Sequence, residues 1–232
     1  MPSPDRGPHR AGTPVAPPVV ARTVHHADAI AWLGENVLDG ASVITSLPDL
    51  SEVPHLGRDG WLRWFEDAAH LVLEKTPPSS VALFYQSDIR HDGMWIDKGH
   101  LVQRAADRAG VALLAHKIVN RKAAGTVTHA RASYTHLLAF SRGIRPSLRT
   151  VTADVLDAGA MPTPKSMGVN ACLEACRFVL EHTTTRIIVD PFCGAGTVLA
   201  VANALGMDAV GVDLSTRQVR KARKLQLEIG DR

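Results

Sequence analysis

The chain has 232 residues, 45% of them hydrophobic and 21% charged, with a formal net charge of +3 and a pI near 8.9. That length suits one domain with a sizeable core, and no apolar run approaches the roughly 18 residues of a membrane-spanning helix. Three cysteines are too few for a disulfide framework and the N-terminus lacks an apolar signal-peptide core, so a reducing cytoplasm is the expected setting.

Charge is unevenly distributed. No Asp or Glu lies between Asp107 and Asp154, an interval that holds Arg108, Lys117, Arg121, Lys122, Arg131, Arg142, Arg145 and Arg149. An acid-free basic stretch is expected of a surface that faces phosphates, the alternative being a solvated basic face.

In chain order, Met1 to Pro17 is rich in Pro, Gly, Arg and Ser and reads as a disordered tail, leaving residues 18–232 as a single domain. Pro18–Val24 reads as a strand, and His25–Leu33 turns into a short helix for which Asp28 is a candidate cap. Ala41–Thr45 is the next strand and runs into Ser46-Leu47-Pro48-Asp49, where Asp49 suits a turn after proline. A loop containing Gly, Pro and His, Leu50–Gly60, precedes a helix with Trp61, Trp64, Phe65, Ala68, Leu71 and Val72 at helical spacing. Val81–Tyr85 is a strand, and Lys98–Ala109 is a helix ended by Gly110. Two further strands, Val111–Val119 and Ala132–Phe140, flank the basic loop Arg121–Arg131. Fewer than about twenty residues separate Gly143 from Met161, too few to bury a core of their own. Asn170–Glu181 is an amphipathic helix. Its Cys172 and Cys176 suit core packing, since further ligands at metal-site spacing are lacking.

The β-branched run Ile187-Ile188-Val189 reads as a buried parallel strand. It ends in Asp190-Pro191-Phe192-Cys193, then Gly194-Ala195-Gly196, and Thr197 opens the helical segment Val198–Leu205. A strand, a tight Gly-rich turn and a helix N-terminus bring backbone N–H groups up to a nucleotide-like ligand. Taken alone, Gly-x-Gly is equally an ordinary strand-to-helix turn. About twenty residues on, the strand Asp208–Val212 ends in Asp213, the place for a ribose-binding acid. Ser215 is positioned to cap a last helix, whose Arg217, Arg220, Lys221, Arg223 and Lys224 read as a solvated face.

The octet Asp190–Thr197 resembles the Asp-Pro-Phe-x-Gly-Ser-Gly-Thr signature of S-adenosylmethionine-dependent methyltransferases that act on exocyclic amino groups in nucleic acids. Ala27-Asp28-Ala29-Ile30 is similar to the family's Gly-Asp-Ala-Leu segment, and Ser46–Asp49 to its Asp/Asn/Ser-Pro-Pro-Tyr segment. Met161–Ser166 is similar to its His-Pro-Thr-x-Lys-Pro segment. The order is circularly permuted, with the catalytic segment ahead of the cofactor loop. The resemblance implies a Rossmann-like α/β fold with a mostly parallel seven-stranded sheet and helices on both faces. It implies S-adenosylmethionine as cofactor, held by Asp190, Pro191, Phe192, Cys193, Gly194, Gly196, Thr197, Asp213 and Leu214. Asp28 approaches adenine in this reading, Lys165 and Ser166 belong to the segment over the methionine end, and Ala29 and Thr45 are further cofactor-binding candidates.

In the same reading Ser46 and the Leu47 carbonyl, with Pro48, orient the target amine. Asp49 stands where the family has a base-stacking aromatic residue. It is open to three roles: a proton acceptor or polar contact, part of a degenerate site, or a turn residue. The stripe that carries Trp61 reads mostly as core, and only an exposed Trp61 would offer a replacement ring. Arg121, Lys122 and Arg131 are expected against nucleic acid. The family's DNA-modifying members often carry a target-recognition domain between the positions of Gly143 and Met161. Its absence favours structured RNA over DNA. A small-molecule methyltransferase and a non-catalytic cofactor-binding subunit are the other readings. Oligomeric state is left open by the sequence.

Overall fold

A computed structural model describes residues 20–129, 131–147, 152–163 and 166–229. The expected tail, Pro18 and Val19 of the expected opening strand, Arg149 and Lys165 lie outside the described residues. The chain runs β1 (Arg22–His26), α1 (Ala29–Glu35), β2 (Ala41–Thr45), α2 (Gly57–Lys75), β3 (Ala82–Gln86), β4 (Ile89–His91), β5 (Met94–Ile96) and α3 (Lys98–Ala109). It continues through β6 (Ala112–Asn120), β7 (Tyr134–Ser141), β8 (Val155–Asp157), α4 (Val169–His182), β9 (Ile187–Asp190), α5 (Thr197–Ala204), β10 (Asp208–Asp213) and α6 (Thr216–Lys224).

One sheet carries the order β1-β10-β9-β2-β3-β7-β6-β8, with β4 and β5 as a separate hairpin. β7 is antiparallel to both neighbours and the other pairings in this sheet are parallel. The expected seven strands are joined by an eighth, β8, laid parallel to β6. A three-residue strand is too short to carry a periodic signal, which is why β8 and the β4–β5 hairpin are not legible in the sequence.

Alternation along the strands divides the core into two layers. Ile44, Leu83, Tyr85, Leu137, Ala139 and Ile188 face one side, where Cys172, Cys176, Val198, Leu199 and Val219 bring α4, α5 and α6 onto the sheet. Val43, Ala82, Phe84, Leu138, Phe140 and Val189 face the other, packed with Leu33 of α1, Trp61 and Phe65 of α2 and Val102 of α3. The cysteines are buried and unpaired, as the packing role requires. No helix among the described residues is long and apolar enough to cross a membrane.

The segment expected to be a loop over Leu50–Gly60 is more ordered than that. Two short 3-10 turns, Leu50–Glu52 and Pro54–Leu56, lead into α2, which begins at Gly57 rather than at Trp61. Strand order reverses between β9 and β2. The chain leaves β9 for β10 through α5 on one face, and leaves β2 for β3 through α2 on the other. A crevice at the carboxyl ends of β9 and β2 follows, where open α/β sheets bind ligands.

Candidate active site

Two segments meet at that crevice although they are far apart in sequence. β2 delivers Thr45 and Ser46, and β9 delivers Asp190. The Thr45 hydroxyl donates to Asp190 Oδ1 at 2.7 Å across the joint, and Phe192 N donates to the same oxygen at 3.1 Å. Burial pushes the Asp190 carboxyl up to about 7, against the opposing pull of these two hydrogen bonds.

The Gly-rich turn is built by backbone geometry. Gly194 (φ 52°) and Gly196 (φ 81°) both lie in the left-handed region. Their surroundings differ. A Cβ on Gly194 would meet open space, whereas one on Gly196 would sit 2.7 Å from Cα and Cβ of Ala222 in α6. Gly194 is therefore the glycine that opens toward the crevice, and Gly196 is the one that lets α6 pack. Asp213, at the end of β10, accepts from Gly194 N (2.9 Å) and Ser215 N (2.7 Å), and burial raises its carboxyl above the ordinary range. Ser215 caps α6 as expected, accepting from Gln218 N.

These groups fit an adenosine-bearing cofactor. The Thr197 hydroxyl at the start of α5 is buried without a hydrogen-bond partner, and Leu214 is 70% exposed directly after Asp213. Pro191 and Cys193 are buried and support the turn, and burial raises the Cys193 thiol. Asp28 is exposed, caps α1 through Ala31 N at 2.9 Å and holds Ala29, which is buried. The Ser166 hydroxyl accepts from Thr163 N at 3.1 Å and donates to the Thr163 carbonyl at 2.8 Å.

Beside this crevice a narrow cleft of about 50 Å³ is lined by Ser46, Leu47, Asp49, Glu52, Tyr85, Ser87, Lys98, Arg121 and Arg131. Ser46 is exposed and Leu47 is buried. Asp49 stands between two cations: one oxygen meets the Lys98 ammonium, and the other meets Arg131 Nη2 at 2.5 Å. Lys98 is 3% exposed. Burial pulls its ammonium below the ordinary lysine range, and the charge of Asp49 and the hydrogen bond to it oppose that shift. The backbone N–H of Asp49 also donates to Glu52 Oε2 at 2.9 Å, so the residue has a turn role and a charge role at once.

Trp61 does not supply a stacking ring. It is 0% exposed, and its indole N–H donates to the Pro48 carbonyl at 3.1 Å, which fixes the loop from beneath. Of the three basic residues expected at the substrate, Arg121 and Arg131 reach the cleft and Lys122 is exposed on the surface.

Behind the cleft lies a cluster that the sequence did not reveal. Asp88 is 1% exposed. Its Oδ2 accepts from Trp95 Nε1 (3.2 Å) and the Tyr134 hydroxyl (3.2 Å) and meets His136 Nε2 (3.1 Å), while Oδ1 takes Lys98 N at 2.9 Å. Burial works to raise the Asp88 carboxyl, but the hydrogen bond and charge of His136 and the other donors hold it below its ordinary value. The Lys98 backbone bond starts α3 at the spot from which its side chain enters the cleft.

The sheet order and the Gly-rich crevice define the architecture of a doubly wound, Rossmann-like α/β protein. No protein-family model and no curated protein matches the sequence. Solved structures do. TTHA0409 of Thermus thermophilus, provisionally named a DNA modification methylase and solved with S-adenosyl-L-methionine, superposes with a TM-score of 0.66. It shares 18% identity over 88% of this chain and 94% of that one. PvuII DNA methyltransferase (cytosine-N4-specific) gives a TM-score of 0.67 at 15% identity, over 92% of this chain and 89% of that one. M1.HpyAVI in complex with SAM gives 0.58 at 14% identity, over 88% and 98%. The chain thus has the Rossmann-like methyltransferase fold.

Proposed function

We propose that the protein is an S-adenosylmethionine-dependent methyltransferase acting on an amino nitrogen of a nucleic-acid base. The observation that carries this reading is the Thr45–Asp190 hydrogen bond, which sets Ser46 and Leu47 directly beside the Gly-rich crevice. When bound, the cofactor supplies a methyl group already activated by its sulfonium. The chain's own work is then to hold, aim and exclude water. Gly194, Asp213 and Leu214 would hold the adenosine side, with Asp28 and Ala29 at the rim and Asp190 and Thr45 beneath. The Ser46 hydroxyl and the Leu47 carbonyl would accept from the target NH₂ and direct its lone pair, with Pro48 stiffening the turn. Asp49 keeps Lys98 and Arg131 in place at the cleft, and after transfer its carboxylate is the acid–base group nearest Ser46 in sequence.

The cleft sets three cations, Lys98, Arg121 and Arg131, against two acids, Asp49 and Glu52, and this polar, slightly cationic lining favours a nucleic-acid substrate over an apolar metabolite. The RNA preference expected from the short 143–161 interval has no support in the comparisons. The match spans 94% of TTHA0409, so a chain of this fold with little additional length carries the provisional name of a DNA modification methylase. DNA is the first substrate to test. The protein is incubated with labelled S-adenosylmethionine and separated DNA, RNA and metabolite fractions. Label in DNA or RNA supports the reading, and label in metabolites alone overturns it.

A further inference from the structure

A hairpin is inserted between β3 and α3, and its residues have no task in the chemistry above. β4 and β5 pair with the register Ile89↔Ile96, Arg90↔Trp95 and His91↔Met94. Asp92 (φ 49°) and Gly93 (φ 74°) form the two-residue turn, the geometry that matches strand twist in tight hairpins. Ile89 and Ile96 bury the root, whereas Met94 and Trp95 are each 44% exposed. Arg90 lies 5.0 Å over the Trp95 ring, and its guanidinium donates to the carbonyls of Thr128 (2.8 Å) and His129 (3.0 Å). A β-bridge from Ile89 to Arg131 completes the attachment.

The hairpin and the 121–131 loop are therefore one lip. Its inner edge enters the cleft through Arg131, and its outer edge presents an indole whose orientation is fixed by Asp88. The loop belongs to the interval without Asp or Glu, and the hairpin's one acid, Asp92, faces His91 at 3.4 Å. A half-exposed tryptophan under an arginine, on a rigid mount beside an acid-free loop, has the makings of a base-stacking platform with charge for the adjoining backbone.

We propose that this lip engages unpaired nucleic acid next to the target: a base flanking the target stacks at Trp95, and Lys122 and the surrounding loop take its phosphates. The lip would do part of the work of the recognition domain for which the 143–161 interval has no room. This inference rests on the nucleic-acid reading above and goes beyond it in naming the surface and the state of the strand.

The test is anisotropy of labelled single-stranded and duplex oligonucleotides with the full chain and S-adenosylmethionine present. Trp95→Ala should weaken single-strand binding by about 5- to 100-fold, while Trp95→Phe stays within about 3-fold of the parent. Lys122→Ala should reduce the slope of log affinity against log salt by about 0.7 for single strands. Cofactor binding and thermal melting of Trp95→Ala report that the variant is folded. Equal affinity of folded Trp95→Ala and parent overturns the lip, as does equal loss in the Phe variant. A parent that binds no oligonucleotide and methylates only metabolites overturns the nucleic-acid reading itself, and so the two failures are separable.

Discussion

Replacing Asp49 by Asn should destabilise the protein in a pH-dependent way. Lys98 is 3% exposed, and Asp49 is the carboxylate on its ammonium. Asn keeps the shape and removes the charge, leaving a buried cation beside Arg131. Removing one partner of a buried pair costs about 3–5 kcal/mol. The loss has a ceiling, because Lys98 can shed its proton. From its ordinary value of 10.5 that costs about 5 kcal/mol at pH 7 and about 2 kcal/mol at pH 9. In the variant the folded-state lysine titrates below the unfolded one, so the unfolded chain binds more protons and stability rises with pH across that window. Urea denaturation of the parent, Asp49→Asn, Lys98→Met and the double variant at pH 7 and pH 9 measures all of this. The double variant should recover most of the loss, since no buried charge is left unpaired. A single-variant loss under about 1 kcal/mol at pH 7, or one that is the same at both pH values, would refute the reasoning.

Ser46→Ala should lower the transfer rate by about 100-fold through loss of orientation, with cofactor affinity by calorimetry unchanged; unchanged transfer would remove Ser46 from the mechanism. Asp190 holds a proton up to about pH 7 in the folded protein and releases it near 3.8 when unfolded. The unfolded chain therefore binds fewer protons across that window, and stability falls as pH rises through it. Asp190→Asn keeps an acceptor for Thr45 and Phe192 and should remove up to about 4 kcal/mol of that slope, read as a flatter melting temperature between pH 4.5 and pH 8 than the parent's. Gly196→Ala combines a left-handed φ of 81° with a 2.7 Å approach to Ala222, and should cost about 2–4 kcal/mol in urea denaturation. Gly194→Ala meets open space at a similar φ of 52°, and should cost about 1–3 kcal/mol from backbone strain alone.

The parallel core was legible because its strands are β-branched and buried on both faces, as in Ile187–Val189 and Ala41–Thr45. The crevice was legible because its glycines and acids occur at fixed offsets from strand ends. Lys98 was not. It is the first residue of α3, a position where lysines ordinarily reach solvent, and its inward course goes with the Asp88 carboxylate on its backbone N–H and the Asp49 carboxylate at its ammonium, both tertiary contacts. Trp61 was legible as a core residue, since helical spacing places it on the core stripe, but the Pro48 carbonyl that satisfies its indole is a tertiary contact that spacing does not show. Asp88, just past the end of β3, meets His136 and Tyr134 of β7 across an antiparallel pairing, and short-range pattern holds no trace of it.

The pairing of Arg22–His26 with Ala209–Asp213 bears on how the chain reaches its native state. β1 emerges ahead of the other described strands in synthesis, yet β10, its partner, follows all of them. β9, which separates β10 from β2 at the middle of the sheet, precedes it only by the length of α5. The sheet is therefore completed from its centre only after its other strands have emerged, with β1 unpaired and one edge of β2 open until then. A ribosome-bound chain that stops before Ile187 should be an aggregation-prone intermediate, and protease resistance should appear late and all at once.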